Sequence, residues 1–290
     1  MNHMKKLIYS LGIATALFST IATADLEPDN DVLAEINNSF SAGLTFMHFN
    51  YREAPDGLPI NIYGPAYGLA IGTRNVFFQR MYTDIAGEFA FGNLKYEGFL
   101  QNPTSSTPSQ PPPNIPYQTK QKDDFINVDA KLGVIILDYN LLQVIPYGGF
   151  GFRYWKQDTG HKYYNFKAMA GAKLNFAPTD NWAFSPYANI GTTLGAHAKP
   201  PVYIVLSNGT TGAYQGTPSL SLGKKMIREF GLEINYRVDH ELFVVGTISH
   251  THFEYGRSAA QDVGVVKGEY EPDSTTNELR FGLGMRYGFL

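Results

Sequence analysis

The sequence predicts an all-β protein: a single transmembrane, antiparallel up-and-down β-barrel of ten strands, with eight and twelve as the other counts that the segment ends allow. Three observations predict it. The chain ends on an alternating segment in which Phe281, Leu283, Met285, Tyr287 and Phe289 stand between Arg280, Gly282, Gly284, Arg286 and Gly288. Period-two alternation marks a two-faced strand. A bulky apolar face opposite a small or charged one suits lipid outside and a packed polar lumen inside. Segments of this kind recur along the chain, and the links between them alternate short and long. That rhythm is expected when turns lie in the periplasm and loops lie outside.

Residues 1–24 read as a secretory signal peptide: Lys5 and Lys6, an apolar run from Leu7 to Ile21, then Ala22-Thr23-Ala24 before Asp25. Residues 25–38 are acidic and unpatterned, a short periplasmic lead-in. The barrel spans 39–290. Its first strand is expected over 39–52. The second, 63–73, sets Tyr63, Tyr67, Leu69 and Ile71 opposite Gly64, Ala66, Gly68, Ala70 and Gly72. The third, 80–94, offers Ile85, Phe89 and Phe91 to lipid and Asp84 and Glu88 to the lumen. The fourth, 124–137, alternates Ile126, Val128, Ala130, Leu132, Val134 and Ile136 with Asn127, Asp129, Lys131 and Gly133. Charges within such an apolar run fit only if its two faces meet different surroundings. Strands over 143–155, 163–176, 182–195, 223–236, 241–256 and 275–290 complete the set. They place Arg153, Lys167, Lys173, Glu229, Glu233, Arg280 and Arg286 inward.

Short links fall near 74–75, 138–140, 178–181 and 238–240, and long ones near 53–62, 95–123, 156–162, 196–222 and 257–274. The Pro-rich run from Ser105 to Pro113 belongs in a loop, because proline cannot donate to a sheet ladder. Asn208-Gly209-Thr210 reads as a loop tip. The chain has no cysteine, and a closed barrel needs no staple since every strand is paired on both sides. Twenty Phe, nineteen Tyr and 29 Gly suit aromatic girdles and close-packed strands. A formal charge of −3, more negative once Lys5 and Lys6 are removed, argues against nucleic acid as a partner.

Three stretches resemble Gram-negative outer-membrane β-barrel proteins: Phe49-Asn50-Tyr51-Arg52-Glu53-Ala54-Pro55 leading to Tyr63–Gly68, Ile145 to Trp155, and Glu271 to Thr276. The terminal strand (Phe281, Leu283, Met285, Tyr287, Phe289) is similar to the C-terminal assembly signal of such proteins. The resemblance implies an outer-membrane location after cleavage near Ala24. It also implies contact with membrane lipid and lipopolysaccharide, and dependence on the secretion and barrel-assembly machinery. A monomer without a cofactor is expected. Porins, adhesins, proteases and lipid-modifying enzymes share this architecture, so fold does not settle function.

Two constellations carry the candidate chemistry. The lumen set is Asp84, Glu88, Asp129, Lys131, Arg153, Lys167, Lys173, Glu229, Glu233, Arg280 and Arg286. These charges either pair into a plug that fixes strand register or line a narrow ion-selective channel. The second set is His250, His252 and Glu254, expected on the lumen mouth with Phe253 and Tyr255 toward lipid. It is a polar rim or, as the enzyme alternative, a site for acid-base work. A β-bulge is expected lower in that strand, where Leu242, Val244 and Ile248 have lipid-facing parity. The only adjacent acidic pair near a rim is Asp123-Asp124, and Ser249 and His250 are sequential and so face opposite sides. No recognised catalytic motif is present. The leading expectation is a structural or small-pore outer-membrane protein, with a surface-interaction protein as the alternative.

Overall fold

The computed structural model describes residues 31–53, 59–100, 115–139, 141–200, 203–205, 211–213, 219–263 and 266–289. The signal peptide, the Pro-rich run and the Asn208-Gly209-Thr210 tip lie outside the described residues.

Ten long strands close into one antiparallel barrel. They are β1 (Ser39–Glu53), β2 (Ile60–Phe77), β3 (Met81–Leu100), β4 (Ile115–Val134), β5 (Leu142–Gln157), β6 (Lys162–Thr179), β7 (Trp182–Lys199), β8 (Met226–Asp239), β9 (Leu242–Tyr255) and β10 (Ser274–Gly288). Each pairs with its sequence neighbours, and β10 pairs with β1 from Ser39↔Gly288 to Glu53↔Ser274 to shut the seam. Both ends of the barrel chain lie at the end with the tight turns 78–80, 180–181 and 240–241. The long connections gather at the opposite end.

Alternation sorts the side chains as a membrane barrel requires. Leu44, Tyr67, Leu69, Phe91, Leu132, Phe150, Phe166, Ile190, Phe230 and Leu283 are all more than half exposed on the outer face. A soluble protein rarely shows so continuous an apolar surface. Crossing a bilayer takes about 9–11 tilted residues per strand. Strands β3 and β4, of 20 residues each, therefore rise well past the lipid.

That height overturns two expectations, the full extents of the long links 95–123 and 196–222. Residues 95–100 and 115–123 belong to strands rather than to a loop, and so do 196–199. Their outward residues are polar because they stand in water, and the sequence reading looked for an apolar outer face. The bulge expected low in β9 falls on the facing strand: β9 runs unbroken against β10 from Leu242↔Tyr287 to Tyr255↔Ser274, but against β8 the register shifts between Arg237↔Phe243 and Asp239↔Leu242, with Val238 of β8 as the extra residue. A further bulge lies in β7, where three residues from Leu194 to His197 advance against two from Tyr164 to Phe166. Gly195 sits at the bulge with φ +53°, a left-handed conformation that glycine adopts without strain.

The lead-in also differs from expectation. Asp31–Asn37 forms helix α1. Val32, Leu33 and Ile36 make an apolar stripe buried against Ala177, Ala183, Phe243 and Val245 at the tight-turn end. Glu35 meets Arg237 at 2.5 Å, and Asn37 donates to Gln143 at 2.6 Å. So short a helix is marginal alone and depends on this packing.

Candidate functional site in the barrel lumen

The lumen is built in three layers. At the tight-turn end α1 fills the cross-section, supported by Asn175, which donates to Asn37 at 3.0 Å, and Ser185, which donates to Asn175 at 2.8 Å.

The middle layer carries the charges. All eleven charged residues singled out above point inward. Ten of them line a cavity of about 230 Å³, and Arg286 lies buried beside it. Glu233 on β8 is the hub. Arg74 reaches it through two bonds of 2.7 Å, and Arg286 through bonds of 2.7 and 3.1 Å. Lys173 stands 3.9 Å away. Arg74 also lies 3.4 Å from Asp84, which accepts from Tyr82 at 3.2 Å. A second group centres on Glu278, which is fully buried and pairs with Arg153 and Arg280. Arg280 extends to Glu88 at 3.2 Å, and Glu88 accepts from Asn127 at 3.1 Å. Lys167 meets Asp129 at 2.8 Å. Tyr187 donates to Glu229 at 3.1 Å, and Lys131 lies over the Tyr147 and Tyr187 rings at 5.4 Å each.

Charges taken from water this completely persist only when opposed and hydrogen-bonded. The layer holds seven cations (Arg74, Lys131, Arg153, Lys167, Lys173, Arg280, Arg286) against six carboxylates (Asp84, Glu88, Asp129, Glu229, Glu233, Glu278), so its charge nearly cancels. Glu88 Oε1, Lys173 Nζ and Asn189 Nδ2 have no hydrogen-bond partner among the described residues, the kind of groups that ordered water serves in a polar cavity.

Two hubs escaped the sequence reading. Arg74 falls where a short link is expected, although its parity continues that of Gly64 to Gly72. Glu278 shares the parity of Arg280 and Arg286, which was signal enough to find it.

At the long-loop end the interior is aromatic. Phe49, Tyr51, Phe125, Trp155, Tyr163, Phe253 and Tyr255 are buried together with Leu220 and Leu222. Ring centroids stand 4.9 Å apart for Phe49 and Trp155, 4.9 Å for Phe49 and Phe125, and 4.7 Å for Trp155 and Tyr163. Each polar handle is satisfied: Trp155 Nε1 donates to Asp123 at 2.8 Å, Tyr163 to Glu271 at 2.5 Å, and Tyr255 to Asn165 at 2.8 Å. Arg153 links the layers, with its guanidinium 4.3 Å from the Phe253 ring centroid.

The second constellation is therefore inverted. Phe253 and Tyr255 point into the barrel, and His250, His252 and Glu254 point outward. His252 lies 3.5 Å from Glu254 and 2.9 Å from Asn277, and His250 packs beside Phe230. None of the three reaches the lumen mouth. Asp123 and Asp124 likewise part company: Asp123 is buried, and Asp124 faces out 3.8 Å from Lys156. Among the described residues, no cluster of three His, Cys, Asp or Glu side chains is placed to hold a metal ion.

No family model and no curated protein matches this chain. Solved structures do. The outer membrane protease OmpT from Escherichia coli superposes with a TM-score of 0.51 at 9% identity, covering 92% of this chain and 99% of that one. The translocator domain of the autotransporter NalP from Neisseria meningitidis gives 0.41 at 11%, covering 99% and 96%. The toluene transporter TodX of P. putida gives 0.34 at 9%, covering 90% and 93%. At such identities the likeness is one of fold. The chain has the fold of Gram-negative outer-membrane β-barrel proteins, closed by ten antiparallel strands.

Proposed function

We propose that this chain is an outer-membrane barrel with a sealed lumen, a structural platform that holds its long-loop end above the lipid. The observation that carries this reading is the three-layer filling. Helix α1, the ion-pair layer and the aromatic layer each occupy the cross-section, and the remaining cavity is about 230 Å³. Ten strands leave little room beyond their own side chains. A conducting path would have to displace helix α1, break the Glu233 hub and part the rings around Trp155.

The test is conductance of residues 25–290 refolded into planar bilayers, with insertion verified separately. The sealed barrel gives no discrete current steps. Steps from the unaltered chain would overturn the reading in favour of a small pore.

A surface-interaction role is the second reading, supported by the β3–β4 hairpin, whose strands climb past the lipid to Leu100 and Ile115. Removing 101–114 should abolish attachment to a surface partner while the barrel still folds. Attachment unchanged by that deletion speaks against the role.

A further inference from the structure

The charge layer leaves two of its cations without a hydrogen-bonded carboxylate. The Lys173 side chain on β6 is 5% exposed, and its Nζ donates to nothing among the described residues. Its nearest acid is Glu233 at 3.9 Å, beyond hydrogen-bonding reach. Glu233 has little capacity to spare. Its Oε1 accepts from Arg74, Arg286 and Asn235, and its Oε2 accepts from both arginines. Lys131 on β4 makes no ion pair among the described residues. Its register neighbour on β3, Asp84, is engaged by Arg74 at 3.4 Å and Tyr82 at 3.2 Å.

The two ammonium groups share a neighbourhood. Lys173 stands opposite Tyr187 in the β6–β7 register, and Lys131 lies over the same ring at 5.4 Å. Both side chains line the cavity of about 230 Å³.

The layer as a whole holds seven cations against six carboxylates, one positive charge in excess. Ordered water can accept a hydrogen bond from each ammonium, but it brings no charge to offset that excess. A charge withdrawn from bulk solvent without an opposite partner is costly.

We propose that the cavity is a binding site for one small monovalent anion, chloride, held by Lys131 and Lys173. Ammonium donors make their stronger hydrogen bonds to charged acceptors. One negative charge brings the layer to neutrality, whereas a divalent anion would leave the opposite excess. A cavity of this size also has room for several waters, so the ion keeps part of its hydration. The site rests on the charge layer and not on the seal.

The experiment folds residues 25–290 into detergent micelles and measures bound chloride by equilibrium dialysis against radiolabelled chloride, with gluconate holding the ionic strength constant. The parent should bind about one chloride per barrel, the number that neutralises the layer. Lys173→Met leaves six cations against six carboxylates and should lose that ion, and so should Lys131→Met. Lys122→Met, outward and above the lipid, should bind as the parent does. Replacing gluconate by chloride should raise the parent's urea midpoint, because a ligand of the folded state stabilises it, and should leave the midpoint of Lys173→Met where it was. If neither lysine variant folds, the parent's midpoint decides alone. Three outcomes overturn the site: no chloride on the parent, equal binding by the parent and either cavity-lysine variant, or a parent midpoint that is the same in both salts. Bound label that exchanges freely with unlabelled chloride is a different result: the site stands, and the sealed lumen is overturned instead.

Discussion

Glu233→Gln removes one charge from the middle of the barrel while keeping the side chain's shape. In the parent, Glu233 receives two bonds from Arg74 and two from Arg286, with Lys173 at 3.9 Å. The substitution leaves Arg286 and Lys173 buried without a carboxylate, while Arg74 keeps only Asp84 at 3.4 Å. Breaking a buried pair from one side costs about 3–5 kcal/mol, because the other charge stays desolvated. The side chains of Arg286, Lys173 and Glu233 are 2%, 5% and 8% exposed, so solvent screening relieves little of this. The assay is urea unfolding of vesicle-embedded protein, followed by tryptophan fluorescence. A loss of about 3–5 kcal/mol is expected for Glu233→Gln. The variant Arg74→Met/Asp84→Leu/Lys173→Met/Glu233→Leu/Arg286→Met, which removes Asp84 and Lys173 together with the hub they face, should recover most of it, since an apolar replacement of a whole buried network is often neutral. A loss below about 1 kcal/mol for Glu233→Gln, the range of an exposed pair, would refute the reasoning.

Two further predictions follow from the layers and faces. Leu132 is 55% exposed on the lipid face of β4, so Leu132→Arg should cost about 2–4 kcal/mol, and Lys122→Leu, outward but above the lipid, should change unfolding little; equal shifts in the urea midpoint would contradict the placement of the membrane. Trp155→Ala opens a hole among Phe49, Phe125 and Tyr163 and removes the donor to Asp123, so it should cost about 3–5 kcal/mol in the same assay, and a neutral result would mean that the aromatic layer is loosely packed.

Much of the fold was legible because lipid imposes one rule on every strand at its depth. Within the bilayer, Ile126 to Leu132 must be apolar outside, while Asn127 to Lys131 can be polar inside, and the alternation declares itself. Above the bilayer the rule reverses. There the outside is water and the inside is a packed core, so the polar residues of β9 (His250, His252, Glu254) face out and Phe253 and Tyr255 face in. A reader applying the membrane rule throughout assigns them backwards. The same reversal hid residues 95–100 and 115–123 as strands. Helix α1 was illegible for another reason: at seven residues it is too short for its periodicity to stand out, and its order comes from the barrel it plugs. Within the charge layer, parity located the residues but could not match partners, because pairing across a lumen depends on which distant strands face each other. Arg280 on β10 meets Glu88 on β3, and Arg74 on β2 meets Glu233 on β8.

The central claim is that β4 crosses lipid with its even residues outward and its odd residues in a filled interior. The chain has no cysteine, so single cysteines can be placed at each position from 126 to 133 and labelled with an environment-sensitive fluorophore. In vesicles containing bromine-labelled lipid, quenching should be strong at 126, 128, 130 and 132 and weak at 127, 129, 131 and 133. Quenching that is uniform along the strand, or absent from it, would contradict the account.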